Sequence, residues 1–244
     1  AANRPTDREY QHYIHLVERF KSWDYDDAKI AAHSPFLIQD PLFNALLIRS
    51  NEGLIRLGRR LGREEEVARL EHWQQKSLAS FHHKLYSPEK KAYVYYDLRE
   101  DRPLKGVSSS SFVPLFAGIP DAETAREIVG QHFEKGNFSG PGGEFYLCAS
   151  YDPTSASFNP RRYWRGPVWI NLNWLIMLGF ERYGFGHLAE EVRKDTLALL
   201  EQCGFYEYFD PRRSLDPGAF RGYGGKNFSW SAALCLDLLK RHTP

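Results

Sequence analysis

From Pro167 to Tyr183 the chain is apolar on nearly every side of a helix, through Val168, Ile170, Leu172, Leu175, Ile176, Met177, Leu178 and Phe180. In water such a helix persists only where other elements surround it. A membrane span competes with that reading. Two asparagines interrupt the run, however, Arg165 and Glu181 bracket it, and it falls short of ~20 apolar residues. The following segment, Gly186 to Cys203, is amphipathic, with Leu188, Val192 and Leu200 on one side and charges on the other. Asn227 to Lys240 is again mostly apolar. Buried helices alternating with amphipathic ones imply an inner layer of helices wrapped by an outer one. The fold class is therefore all-α: an (α/α)6 toroid or an open part of one, with a small β-hairpin. Periodicity alone does not separate this from an orthogonal helix bundle, and no tandem repeat supports a solenoid.

Earlier in the chain the start signals are explicit. Thr6 and Glu9 form a capping box, and Tyr10, Tyr13, Ile14 and Val17 follow at helical spacing to about Trp23. Asp40-Pro41 caps a helix running through Phe43, Leu46, Leu47, Leu54 and Leu57 to Gly62. A charged helix follows, with Val67, Leu70, Leu78, Phe81 and Leu85 as its expected buried stripe. Tyr93 to Tyr96 reads as a strand, half of a hairpin closed near Glu100-Asp101. Pro120-Asp121 opens a helix carrying Ala125, Ile128, Val129 and Phe133 on one face. Gly136 to Arg162 is a long loop rich in Gly, Ser, Pro and Asn, and a loop of that length in a compact domain is usually functional.

Charge and cysteine content exclude several classes of function. With 32 basic and 31 acidic residues the net charge is +1, so nothing electrostatic favours nucleic acid or a membrane surface. The three cysteines, Cys148, Cys203 and Cys235, lie at no metal or CxxC spacing, and an odd count argues against a disulfide framework. No metal or cofactor motif is present. The polar stretch Asn3 to Asp7 is unlike a signal peptide, which makes a reducing cytoplasm the expected location.

Two stretches carry chemistry. In the first, Phe158 to Trp174, Gly166-Pro167 reads as a reversal into a helix with Pro167 at its first position. Tyr163, Trp164 and Trp169 would then gather at that helix start beside Arg165, offering flat π faces to the C–H bonds of a sugar ring. The competing reading is that they wedge an inner helix into the core. In the second, Phe205 to Asp210, Glu207 sits among Tyr206, Tyr208 and two phenylalanines, just after the helix ended by Gly204. Aromatic walls keep water from a carboxylate and make it a better proton acceptor, and a tyrosine hydroxyl such as that of Tyr206 would steer its oxygens. A glutamate at a loop edge with its head in water is the plainer alternative. The glycine-rich run Arg221 to Gly225 lets backbone approach a ligand closely.

These stretches resemble the C-terminal part of a glycoside hydrolase family 63 catalytic domain, and within it the mannosylglycerate and glucosylglycerate hydrolases. The marks are Tyr163-Trp164-Arg165-Gly166-Pro167-Val168-Trp169 with Asn173-Trp174, then Tyr206-Glu207-Tyr208, then Asn227-Phe228-Ser229-Trp230-Ser231-Ala232-Ala233. Gln39-Asp40-Pro41-Leu42-Phe43-Asn44 adds to them, and Gln39 and Asp40 join the expected substrate-binding set. The resemblance implies an (α/α)6 barrel that hydrolyses α-glycosides with inversion. It implies Glu207 as general base, Tyr163, Trp164 and Trp169 as walls of the sugar subsite, and Arg4 and Tyr10 as holders of the glycerate end. The family's general acid, an aspartate in a DNSP-type motif, would lie upstream of Ala1. Asp40, Asp97, Asp152 and Asp216 are the local substitutes. Residues 1–244 are thus expected to be one barrel portion without its N-terminal segment. The expected partners are a small carbohydrate and either that segment or a second copy, with no nucleic acid and no membrane. A carbohydrate-binding or partner module that has lost the acid, and a purely structural helical domain, are the alternatives.

Overall fold

A computed structural model describes residues 4–135, 138, 143–214, 219 and 221–241. Helix α1 (Asp7–Ser22) starts where the capping box puts it: Thr6 Oγ1 accepts from the Glu9 N–H, and the Glu9 carboxylate accepts the Thr6 N–H. A short helix α2 (Asp27–His33), capped by Asp26, was not apparent in the sequence. Strand β1 (Ile38–Gln39) leads into α3 (Pro41–Arg60), whose first turn is closed by Asp40 Oδ1 accepting the Leu42 N–H at 2.7 Å. Helix α4 (Glu64–Leu85) packs back on α3.

The expected strand Tyr93–Tyr96 is divided. Strand β2 (Tyr86–Ser87) pairs with β3 (Ala92–Tyr93), while β4 (Tyr96–Asp97) lies between β1 and β5 (Arg102–Pro103). The break follows from hydrogen bonding, since the Val94 N–H turns back to Leu85 and the Tyr95 carbonyl serves Leu104. The β4–β5 hairpin does close through Glu100-Asp101.

Helices α5 (Val113–Ala117) and α6 (Ala122–Val129) follow, the latter capped by Asp121 and burying Ala125, Ile128 and Val129 as read from the sequence. The aromatic centre lies here: Phe112 meets Phe133 and Phe138 edge-on, with centroids 4.7 Å apart in each pair. Helix α7 (Ile170–Arg182) is the inner helix, packed between α5, α8 (Gly186–Cys203) and α9 (Ser229–Lys240). Gly179 makes that proximity possible, since a Cβ there would collide with Leu115 and the Phe116 N–H of α5. Ile176, Met177 and Phe180 are fully buried, each worth ~1.5–3 kcal/mol of transfer free energy. Asn173 enters this interior fully satisfied. Its Oδ1 accepts the Cys148 N–H, and its Nδ2 donates to the Leu147 carbonyl and Thr196 Oγ1. Among the described residues no helix is long and apolar enough to cross a membrane.

Helix α7 begins three residues later than the proline signal predicts. Val168 exchanges both backbone hydrogen bonds with Phe209, at 2.8 and 2.9 Å, and bridges Ala149. That pairing keeps Pro167 and Val168 extended, so the helix starts after Trp169. Phe209 belongs to β6 (Tyr206–Phe209), which pairs with β7 (Gly222–Lys226); the Glu207 stretch is therefore strand rather than loop.

The expected buried stripe of α4 is only partly buried, and α1 and α3 carry exposed apolar residues. On α4, Val67, Phe81 and Leu85 are buried, but Leu78 is exposed and Leu70 only half-buried. On α3 the core takes Ala45, Ile48 and Ile55, while Phe43, Leu46, Leu47, Leu54 and Leu57 lie exposed. Tyr10, Tyr13, Ile14 and Val17 of α1 are exposed as well. These helices leave apolar ridges uncovered.

Candidate active site

A closed turn presents the first aromatic stretch. The Asn159 N–H bonds to the Arg165 carbonyl at 2.7 Å, and a side chain at Gly166 would run into the Asn159 carbonyl. At its tip Tyr163 takes φ +33°, a strained value for an aromatic residue. Trp169 holds that conformation, its indole N–H donating to the Tyr163 carbonyl at 3.1 Å. Arg162 ties the turn to α1 through an ion pair with Glu9. Together with the Thr6 bonds, which act most strongly, that pair holds the Glu9 carboxyl down to about 2.

The aromatics form layers. Trp164 stacks on Trp169 with planes 7° apart and centroids 3.7 Å apart, and Trp169 stacks on Tyr208 at 4.9 Å. Tyr163 stands edge-on to all three. Only the outer ring is open: Trp164 is 42% exposed and Trp169 1%. Trp169 is thus the backing of the wall, and Trp164 its outer surface.

On the open side of Trp164 lies a cleft of about 390 Å³, lined by Asp40, Tyr95, Ser108, Ser110, Tyr151 and Arg165 among others. Tyr95 reaches Ser108 and Ser110 through its hydroxyl. Burial pushes the Asp40 carboxyl up against the opposing pull of the Leu42 and Phe43 N–H groups. Arg165 makes no ion pair among the described residues. Such a cleft joins a flat indole wall and other apolar lining to several hydroxyls and one carboxylate, the combination that a sugar ring needs. Sequence reading found Asp40, Trp164 and Arg165 but not the serines or Tyr95, which carry no motif and come together only through the fold.

Glu207 lies beside the edge-on Tyr163, 7% exposed. Its Oε2 accepts from Arg4 Nη2 at 2.7 Å and from the Gly225 N–H at 3.1 Å; its Oε1 faces the Tyr163 hydroxyl at 3.5 Å. Gly224 has φ +77°, and any Cβ there would strike the Glu207 side chain. The glycine run therefore approaches the carboxylate itself. Arg4 also lies 4.8 Å from the Tyr163 ring centre. Burial opposes its charge, but Glu207, Tyr163 and Tyr208 outweigh that and push the guanidinium up. Burial likewise pushes the Tyr208 hydroxyl up to about 12.

Other expected site residues lie apart. Gln39 lines a separate cleft of about 200 Å³ between α3 and α4, with Lys76 and Lys84, and its Oε1 is buried without a partner among the described residues. Tyr206 packs against a second core cluster with Phe209 and Leu200, as neighbours along a strand point to opposite faces. Tyr10 lies exposed on α1 against Tyr13. Of the local aspartates, Asp97 and Asp152 cap turns through Arg99 and Thr154. Asp216 lies outside the described residues.

A family model described as Mannosylglycerate hydrolase MGH1-like glycoside hydrolase domain matches residues 1–231. The chain belongs to this family. It is 37% identical to a mannosylglycerate hydrolase of Rubrobacter radiotolerans, over 97% of this chain and 52% of that protein. It is 30% identical to a glucosylglycerate hydrolase of Mycolicibacterium hassiacum, over 98% of this chain and 52% of that protein. The solved family 63 mannosylglycerate hydrolase of Thermus thermophilus, in complex with Tris and D-glycerate, superposes with TM-score 0.86 at 39% identity, covering 98% of this chain and 55% of that one. The resemblance read from the motifs, and the open α/α toroid, are thus the family and fold found. The chain spans about half the length of the curated relatives it matches.

Proposed function

We propose that this chain is the base-bearing half of an inverting α-glycoside hydrolase acting on glycosylglycerates, releasing the sugar and glycerate. The observation that carries this reading is Glu207, a buried carboxylate held by Arg4, Tyr163 and the Gly225 N–H beside the ring stack whose open member, Trp164, borders a cleft. The names of the relatives support the substrate class. Glu207 takes the proton from a water that attacks the anomeric carbon on the face opposite the leaving group. The sugar lies on Trp164, within reach of Asp40 and Arg165. Arg4 and Tyr10 serve the glycerate end, a guanidinium being suited to a carboxylate. Inversion also needs a proton donor ~6.5–9.5 Å from the base.

That donor belongs to an N-terminal segment of the same barrel domain, of which residues 1–244 are one portion. The exposed ridges of α1 and α3 support this, since apolar faces of that extent mark buried interfaces. Three unpaired cysteines fit a reducing cytoplasm.

The test is Glu207→Gln in the complete enzyme carrying this segment. Turnover should fall ~10²–10⁴-fold, about 3–5 kcal/mol of barrier. Near-normal turnover removes Glu207 as the base. The 244-residue chain alone should hydrolyse negligibly; robust activity there would place the acid on a local aspartate, with Asp40 the first to replace.

A further inference from the structure

We propose that Arg4 is a latch on Glu207 that a carboxylate on the substrate releases, so that an anionic aglycone unlocks the base as well as binding. This rests on the glycosylglycerate reading above.

The argument starts from lone pairs. A carboxylate oxygen offers about two acceptor sites. Both sites on Glu207 Oε2 are used, by Arg4 Nη2 at 2.7 Å and by the Gly225 N–H at 3.1 Å. Oε1 faces the Tyr163 hydroxyl at 3.5 Å, and Gly224 with the Tyr208 ring crowds the Oε2 side. Water therefore finds little of this carboxylate open while Arg4 stays in place. The Gly225 donor is backbone fixed by β7, whereas the Arg4 donor sits on a long side chain.

Arg4 is built to let go. Its side chain is 44% exposed, against 9% for Glu207. It meets Glu207 through one nitrogen, and a guanidinium carries five donors in a fork that prefers two-point contact with a carboxylate. A ligand carboxylate reaching the open edge of Arg4 offers that better match and competes directly with Glu207. The swing need not disturb α1, because Thr6, Glu9 and Arg162 anchor the helix start independently. A neutral glycoside gives Arg4 no alternative partner and leaves the base engaged.

Two measurements decide this. In the complete enzyme, Arg4→Gln should lower kcat/KM for mannosylglycerate or glucosylglycerate and raise kcat for a neutral methyl α-glycoside about threefold or more. An arginine that only holds glycerate would leave the neutral substrate unchanged, and one that only supports the fold would depress both; either result overturns the latch. In calorimetric titrations of the complete enzyme, with melting curves to check folding, Glu207→Gln should tighten D-glycerate binding about two- to fivefold, the worth of a partly exposed ion pair, with glycerol as neutral control. Equal affinity in the parent enzyme and the variant overturns the latch while leaving the glycerate assignment standing. No D-glycerate binding to either protein, with the complete enzyme also failing to favour glycosylglycerates over methyl glycosides, removes both.

Discussion

Trp164 and Trp169 lie face to face, yet they belong to different parts of the molecule. Trp169 faces inward among Tyr208, Trp230 and the start of α7, without solvent. Trp164 turns its far face to a cleft of serines, tyrosines and one carboxylate. Five residues of sequence separate a core residue from a surface that can meet a ligand. Density of aromatics thus announces a wall, while only the packing tells which layer of it is wet.

The comparison can be broken most forcefully from the inside. Trp169→Ala should cost ~3–5 kcal/mol of stability, as for other buried aromatic truncations, and lose Tyr163 its carbonyl anchor; denaturant unfolding would register it. A loss below 1 kcal/mol would show that the stack is not core. Trp164→Ala should change stability by about 1 kcal/mol or less and weaken mannose or glucose binding about tenfold, a loss of ~1.4 kcal/mol. The reverse pattern, a large loss of stability with unchanged affinity, would move Trp164 into the core. The smallest effect belongs to Asp40. Its carboxyl is raised above its ordinary 3.8 by burial, so its favourable contribution is present below that value and is lost as pH rises through the raised one. Asp40→Asn keeps an N-cap and should raise Tm slightly at pH 7 but not below pH 3.8. An unchanged Tm at pH 7 would mean that the cleft carries no such penalty.

Local signals were legible wherever neighbours in sequence decide the structure. The Thr6–Glu9 box, the Asp40 cap and the Asp121 cap each satisfy backbone donors within four residues, and each helix starts where they place it. Pro167 failed as a start signal because a partner far along the chain, Phe209, claims the backbone of Val168. The stripe on α3 was visible as apolar but not as outward, because Ala45, Ile48 and Ile55 supply a second apolar face to the same helix. The grouping of Tyr163, Trp164 and Glu207 could be read because motif residues carry it. Arg4 on Glu207, and the serine floor beneath Asp40, depend on contacts across 203 and about 70 residues, where no spacing rule reaches.

Two indoles held 3.7 Å apart and nearly parallel absorb light as a coupled pair rather than as separate chromophores. One member is sealed and the other borders the cleft, so anything resting on Trp164 alters the polarity seen by one half of the pair alone. The molecule thereby carries an intrinsic optical reporter of cleft occupancy. Its near-ultraviolet circular dichroism and emission should respond to a bound ring without an attached dye, and they should fall silent in any variant that separates the two planes.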